Sequence, residues 1–151
     1  MQKSECGYAG GVVANPSYYD VASEQTGHAE TVRVTFDETI IPLETLLEIY
    51  FLIHDPTTLN RQGADTGTQY RSVMLYADDT QRQQFMTAQR HAATIWDDPI
   101  VTELKPLDHF YQAEREHQDY FNKNPGAGYC TIVIAPKIVK ARHAYKQWFK
   151  E

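Results

Sequence analysis

Glu30 is the residue whose setting says most about chemistry. It stands in Thr26-Gly27-His28-Ala29-Glu30, ahead of Val32, Val34 and Phe36, which alternate with Arg33 and Thr35. That alternation is the period of a half-buried strand, and it gives Glu30 the parity of the apolar positions. A carboxyl turned toward a core is costly when ionised, so it keeps its proton and becomes a donor. The other reading places Glu30 at the end of the strand, where it reaches water. Tyr18 and Tyr70 lie in polar loops and carry a hydroxyl donor on an apolar body, suited to orienting a small polar oxygen. Ordinary packing explains either of them equally well, since the chain has ten tyrosines. Asp65 sits in Gly63-Ala64-Asp65-Thr66-Gly67, a setting for an Asx turn or for a site carboxylate. Arg71 is placed to form an ion pair or to bind a ligand.

Two sulfur atoms are available as thiols. Cys130 follows Pro125-Gly126-Ala127-Gly128-Tyr129, and two glycines give that backbone freedom. A thiol on such a segment can reach a sulfenic acid or disulfide elsewhere; a buried, inert thiol is the plainer fate. Cys6 falls in an expected strand and has less in its favour. The six histidines are scattered. His109 and His117 do not have the spacing of a zinc-binding pair, and no metal is expected. The glycines of Gly7 to Gly11 lack the strand-to-helix context of a dinucleotide loop.

The elements that must position these groups follow from periodicity. Ser4 to Tyr8 reads as a short strand, and 9–27 as loop with a turn at Asn15-Pro16-Ser17-Tyr18. His28 to Phe36 is the clearest strand. Pro42 suits the first position of a helix that carries Leu43, Leu46, Leu47, Tyr50, Phe51 and Ile53 at helical spacing. Asp55-Pro56 ends it. From His54 to Ser72 runs a long connection whose one large apolar residue besides Tyr70 is Leu59. A connection of that length in a compact domain is usually disordered or functional, and its composition is not that of a disordered tract. Gln69 to Tyr76 then reads as a strand, and Asp78 or Asp79 caps a helix to about Ile95. Val101 to Leu104 is expected as a strand and Glu114 to Phe121 as a helix. Thr131 to Ile134 follows as a strand, with a last helix from Pro136. Strands and helices mix without strict alternation, which gives an α+β, two-layer fold. Its sheet is mainly antiparallel or mixed, with helices packed on it and long surface loops.

Composition narrows the partners. With 14 basic against 20 acidic residues the net charge is −6. Nucleic acid is therefore not an expected partner, because phosphate binding needs clustered Lys and Arg. No apolar run approaches the roughly 18 residues that span a bilayer. The first residues, Met-Gln-Lys-Ser-Glu-Cys, contain no signal-peptide apolar region. Two cysteines are few for a disulfide scaffold, which suggests a reducing cytoplasm.

Taken together, several blocks resemble the A class of peptide methionine sulfoxide reductases. They include Gly7-Tyr8-Ala9-Gly10-Gly11, Asn15-Pro16-Ser17-Tyr18, Thr26 to Glu30, His54-Asp55-Pro56-Thr57 and Asn60 to Ser72. Further on come Phe110-Tyr111, Ala113-Glu114, His117-Gln118-Asp119-Tyr120, Asn124-Pro125 and Gly128-Tyr129-Cys130. They run in family order over nearly the whole chain.

The resemblance implies one domain over 1–151 of the ferredoxin-like reductase type. It implies reduction of the S epimer of methionine sulfoxide, free or in proteins, without a bound cofactor. Thioredoxin or another dithiol serves as reductant. Glu30 becomes the acid that protonates the sulfoxide oxygen, and Tyr18 and Tyr70 its hydroxyl partners. Asp65 becomes a carboxylate that organises the site, and Cys130 a resolving cysteine. The family's nucleophilic cysteine lies in a Gly-Cys-Phe-Trp motif upstream of the Gly-Tyr-Ala-Gly-Gly block. These 151 residues do not contain that motif. The expectation is a domain without its first strand and part of its first helix, through an internal methionine used as a start or a truncation. Cys6 has no counterpart role, and Val21-Ala22-Ser23 stands where the family has Val-Cys-Ser. The alternative function is a catalytically impaired remnant that binds sulfoxide or associates with itself through an exposed N-terminal edge.

Overall fold

A computed structural model describes residues 3–114 of the chain. Strand β1, Lys3–Ala9, pairs antiparallel with β2, Ala29–Thr35, in the register Cys6↔Val32, Gly7↔Thr31, Tyr8↔Glu30. On its other side β7, Phe110–Gln112, pairs with Gly7 to Ala9, so the sheet order is β2-β1-β7. Strand β1 is thus central in this sheet, and β7 covers its Gly7 to Ala9 end.

A parallel pair, β5, Val73–Tyr76, with β6, Glu103–Pro106, forms a second sheet. Helices α2, Leu43–Ile53, and α3, Asp79–Ala93, pack on each other, and α3 packs on β5 and β6. Leu43, Leu47 and Phe51 of α2 meet Phe85 and Ala92 of α3 over Met74 of β5, which makes the main core. The α+β class with mixed pairing is the architecture expected from the element pattern. Among the described residues no helix is long and apolar enough to cross a membrane.

The sequence reading is corrected in several places. Tyr18–Ala22 is a short helix, α1, inside the stretch read as loop. Five residues are too few to show a period, but the cap was in the sequence. Ser17 Oγ accepts from the Asp20 amide at 3.2 Å, and Asp20 Oδ2 accepts from the Ser17 amide at 2.9 Å. Pro42 is the extended residue before α2 rather than its first helical one. Gln69 to Ser72 is not strand. Thr68–Tyr70 forms a single 3₁₀ turn, closed by Tyr70 N–H to Gly67 O at 3.0 Å. The last expected strand of this region moves two residues on, because the Val101 amide bonds Pro56 O at 2.8 Å instead of a strand neighbour. Strand β7 has only three residues and gave no alternation to detect. The helices, turn and strand expected between 114 and 149 lie outside the described residues, apart from Glu114 itself.

The cap on α1 has a pH signature. Hydrogen bonds from Ser17, the backbone one first, hold the Asp20 carboxyl below its usual 3.8. A carboxyl lowered in the folded state stabilises fully above its unfolded value, and that contribution is lost as pH falls through the folded one. Wild type should therefore melt higher than Asp20→Ala at neutral pH, and the gap should narrow below about pH 3. Thermal denaturation across pH 2 to 7 measures it, and a gap independent of pH would contradict the capping role.

Candidate active site

The site is built on the face of β1 and β2 that carries Cys6, Tyr8 and Glu30. Tyr8, 2 % exposed, packs with Val21 of α1 and with Ala113, and Cys6 and Tyr18 pack against that cluster. The Tyr8 hydroxyl donates to Glu114 Oε2 at 2.9 Å, and the Tyr18 amide donates to Glu114 Oε1 at 2.6 Å. One carboxylate thus ties strand β1 to the start of α1, where unpaired helix amides favour a negative charge.

The loop between β1 and α1 is laid against the turn before Glu30. The Gly11 amide donates to His28 Nδ1 at 3.0 Å, so Nε2 carries the proton and donates to Val13 O at 2.7 Å. Gly11 cannot be another residue, since a Cβ there would lie 2.4 Å from His28 N and Thr26 O. This close approach, with the Val12 amide bonded to Thr26 O at 3.0 Å, holds the loop that leads to Tyr18 against the turn before β2.

Tyr70 and Asp65 come from the long 54–72 connection, which is ordered by its own side chains. At its neck His54 Nε2 and Ser72 Oγ are 2.8 Å apart, and Ser72 Oγ is 2.7 Å from Thr102 Oγ1. Gln62 clasps the Asp55 backbone from both sides, at 2.8 and 3.0 Å. Within it β3, Arg61–Gln62, and β4, Asp65–Thr66, form a small hairpin with Gln62 opposite Asp65. Asp65 is therefore a strand residue, while Gly63, at φ 58, takes the turn. The Thr68–Tyr70 turn packs on β2.

Glu30, Tyr18 and Asp65 all lie within electrostatic reach of Tyr70. Burial first, then the charge of Glu30, then Tyr18 and Asp65, push the Tyr70 phenol above its usual 10.0, against a hydrogen bond from Gln69. Burial, the hydrogen bond to Glu114 and the charges of Glu114 and Glu30 push the Tyr8 phenol up as well. Both phenols therefore hold their protons at neutral pH and act as donors. The Tyr8 proton is committed to Glu114.

Glu30 is the main correction. It is solvent-exposed, and Val32 beside it is 61 % exposed. Glu30 is the second residue of β2, and the reading that set it at the strand's end, reaching water, is the one that holds. On the face of Glu30, Val32 is exposed, Val34 and Phe36 are half-buried and Phe36 packs against the main core, while Ala29 on the other face has no exposed surface. Glu30 reaches water, yet lies near enough to Tyr8 and Tyr70 to raise both phenols. Cys130 lies outside the described residues. Arg71 forms the expected ion pair, with Glu103 at 3.2 Å.

A cavity of about 410 Å³ lies elsewhere, between α2 and α3, lined by Leu47, Phe51, Leu52, Ala92, Ile95 and Trp96. None of the site's phenols or carboxylates faces it.

The family model for peptide methionine sulfoxide reductase matches residues 1–149. The chain belongs to that family. It is 54 % identical over 142 residues to the peptide methionine sulfoxide reductase MsrA of Paenarthrobacter aurescens (strain TC1), covering 94 % of this chain and 82 % of that protein. Its fold is similar to that of reduced Mxr1 from Saccharomyces cerevisiae, with a TM-score of 0.80 at 35 % identity over 84 % of this chain and 74 % of that one. Mxr1 in complex with Trx2 is a weaker match, with a TM-score of 0.52 at 25 % identity over 76 % and 63 %.

For a reductase site, sequence reasoning missed two supporting residues, Tyr8 and Glu114. Both stand in blocks that carry the family resemblance, but a 106-residue separation hides their contact. Removing the Tyr8 hydroxyl leaves Glu114 half-buried with one partner fewer. Tyr8→Phe should cost about 1–2 kcal/mol in urea denaturation. A loss below about 0.3 kcal/mol would show that the contact does not brace the site.

Proposed function

We propose that Glu30, Tyr18 and Tyr70 hold the oxygen of a methionine S-sulfoxide, free or in a protein, and supply it with a proton. Supporting this is the convergence of an exposed acid and protonated phenols on one sheet face, in a chain of the reductase family. A sulfoxide oxygen is a strong acceptor, and its charge grows as the S–O bond breaks. Tyr70 holds a proton because burial and three neighbouring groups keep it neutral. Glu30 is exposed to water in the free protein. A substrate laid over it removes that water and favours its neutral form.

The reaction balances as an oxygen transfer. A thiolate attacks the sulfoxide sulfur, and the protonated oxygen passes to it, leaving the thioether of methionine and a cysteine sulfenic acid. A second thiol condenses with the sulfenic acid, releasing water and forming a disulfide, and a dithiol reduces that disulfide. Cys130 is the candidate for the second thiol. Thioredoxin is the candidate dithiol, a reading supported by the solved complex of the similar Mxr1 with Trx2. The first thiol belongs to the family's Gly-Cys-Phe-Trp motif, and neither Cys6 nor Cys130 is assigned to it. Asp65, charged beside Tyr70, helps order the polar groups around the oxygen. The whole chain acts as one domain in a reducing, cytoplasmic setting.

Calorimetry with the two sulfoxide epimers of a blocked methionine tests this. The S epimer should bind at least about tenfold more tightly than the R epimer, and Glu30→Gln with Tyr70→Phe should remove most of that difference. Binding of neither epimer by the folded protein would end the proposal.

A further inference from the structure

The guanidinium of Arg71 does more than pair with Glu103. Its side chain is 9 % exposed, and three of its nitrogens are engaged with three different segments. Nη2 donates to Gly27 O at 2.7 Å, in the turn that precedes Glu30. Nη1 donates to Thr68 O at 2.8 Å, in the 3₁₀ turn that carries Tyr70. Nε donates to Glu103 Oε2 at 3.2 Å, on β6. Gly27 has φ 75, a left-handed conformation that favours glycine, and its carbonyl meets the guanidinium. Gly10 lies close by, where a Cβ would sit 3.5 Å from Nη2. A second bond joins the same regions, from the Thr68 amide to Glu24 Oε1 at 2.8 Å.

We propose that Arg71 is a positioning residue, whose planar guanidinium clamps the turn before Glu30 to the turn that carries Tyr70. The clamp fixes the gap between acid and phenol and thereby the preference for one sulfoxide epimer. The epimer part rests on the reading of Glu30 and Tyr70 as holders of the oxygen. A chiral sulfur is told from its mirror image only if its oxygen is fixed relative to its two carbon arms. Glu30 lies on a strand and Tyr70 on a loop turn, and among the described residues no backbone hydrogen bond between β2 and that turn sets their separation. The guanidinium sets it, because its nitrogens are rigidly spaced. Lysine carries the same charge as a single point on a flexible stem and cannot hold both carbonyls and the carboxylate in that geometry.

Arg71→Lys and Arg71→Gln test the clamp, with folding checked by circular dichroism and melting. Arg71→Lys should keep most of the stability, because the charge opposite Glu103 remains, but the ratio of S to R epimer affinity should drop about tenfold. A folded Arg71→Lys or Arg71→Gln with the wild-type ratio would overturn the proposal. A second readout needs no substrate. In wild type the ring resonances of Tyr70 should shift on acid titration; Asp65 also faces Tyr70, so the response assigned to Glu30 is the part that Glu30→Gln removes. Arg71→Lys should lose that response, and its full retention would overturn the proposal. If wild type binds neither epimer, the oxygen-holding role falls, and the ring titration still decides whether Arg71 fixes the separation.

Discussion

The antiparallel register that sets Tyr8 opposite Glu30 is the constraint on which the site rests. Side chains alternate faces along a strand, so a slip of one residue would send Glu30 to the packed side in place of Ala29 and remove it from the phenols. The register is held on both flanks. Ala9 and Ala29, fully buried, admit no larger neighbour on one face, and Phe110 presses on Gly7 from β7, where a Cβ would lie 2.4 Å from the ring. On that same face Arg33 bonds Glu5 at 2.9 Å and lies 4.4 Å from the centre of the Phe110 ring. A satisfied and sterically tight face thus fixes what the open face presents.

What the open face presents is an asymmetric set of protons. Tyr8 and Tyr70 are pushed toward their neutral forms by burial and by nearby carboxylates. Tyr8 spends its proton within the protein, on Glu114, and so serves the scaffold. Tyr70 and Tyr18 are half-buried. On the proposed function the exposed acid makes the site depend on its ligand, since a bound sulfoxide would displace water from around Glu30. The reductase family's chemistry fits such a face, because the oxygen of a sulfoxide asks for donors and little else.

Much of this was legible from residue types. The strand at 29–35, the helix after Pro42 and the cap at Asp78 follow from period and capping chemistry, which act within a few residues. The long polar connection was recognisable as a structured loop, and its neck, His54 against Ser72, explains why it is ordered. What covers the β2 face was not legible. Alternation tells which residues share a face, but not where along the strand that face is covered: Tyr8 is buried against Val21 and Ala113, while Glu30 and Val32 on the same face are exposed. Contacts such as Tyr8 with Glu114, or Arg71 with Gly27, join residues far apart in the chain, and no local pattern encodes them. The family resemblance supplied the constellation of Glu30, Tyr18, Tyr70 and Asp65. The geometry supplied what holds it.

The central claim is that an acid exposed in the free protein becomes protonated when a sulfoxide covers it. Calorimetry of S-epimer binding near pH 6, in two buffers of different ionisation enthalpy, counts the protons taken up. Uptake of about one proton by wild type at most, clearly above zero, and none by Glu30→Gln is the expected result. Tight binding without proton uptake, or equal uptake by Glu30→Gln, would contradict it.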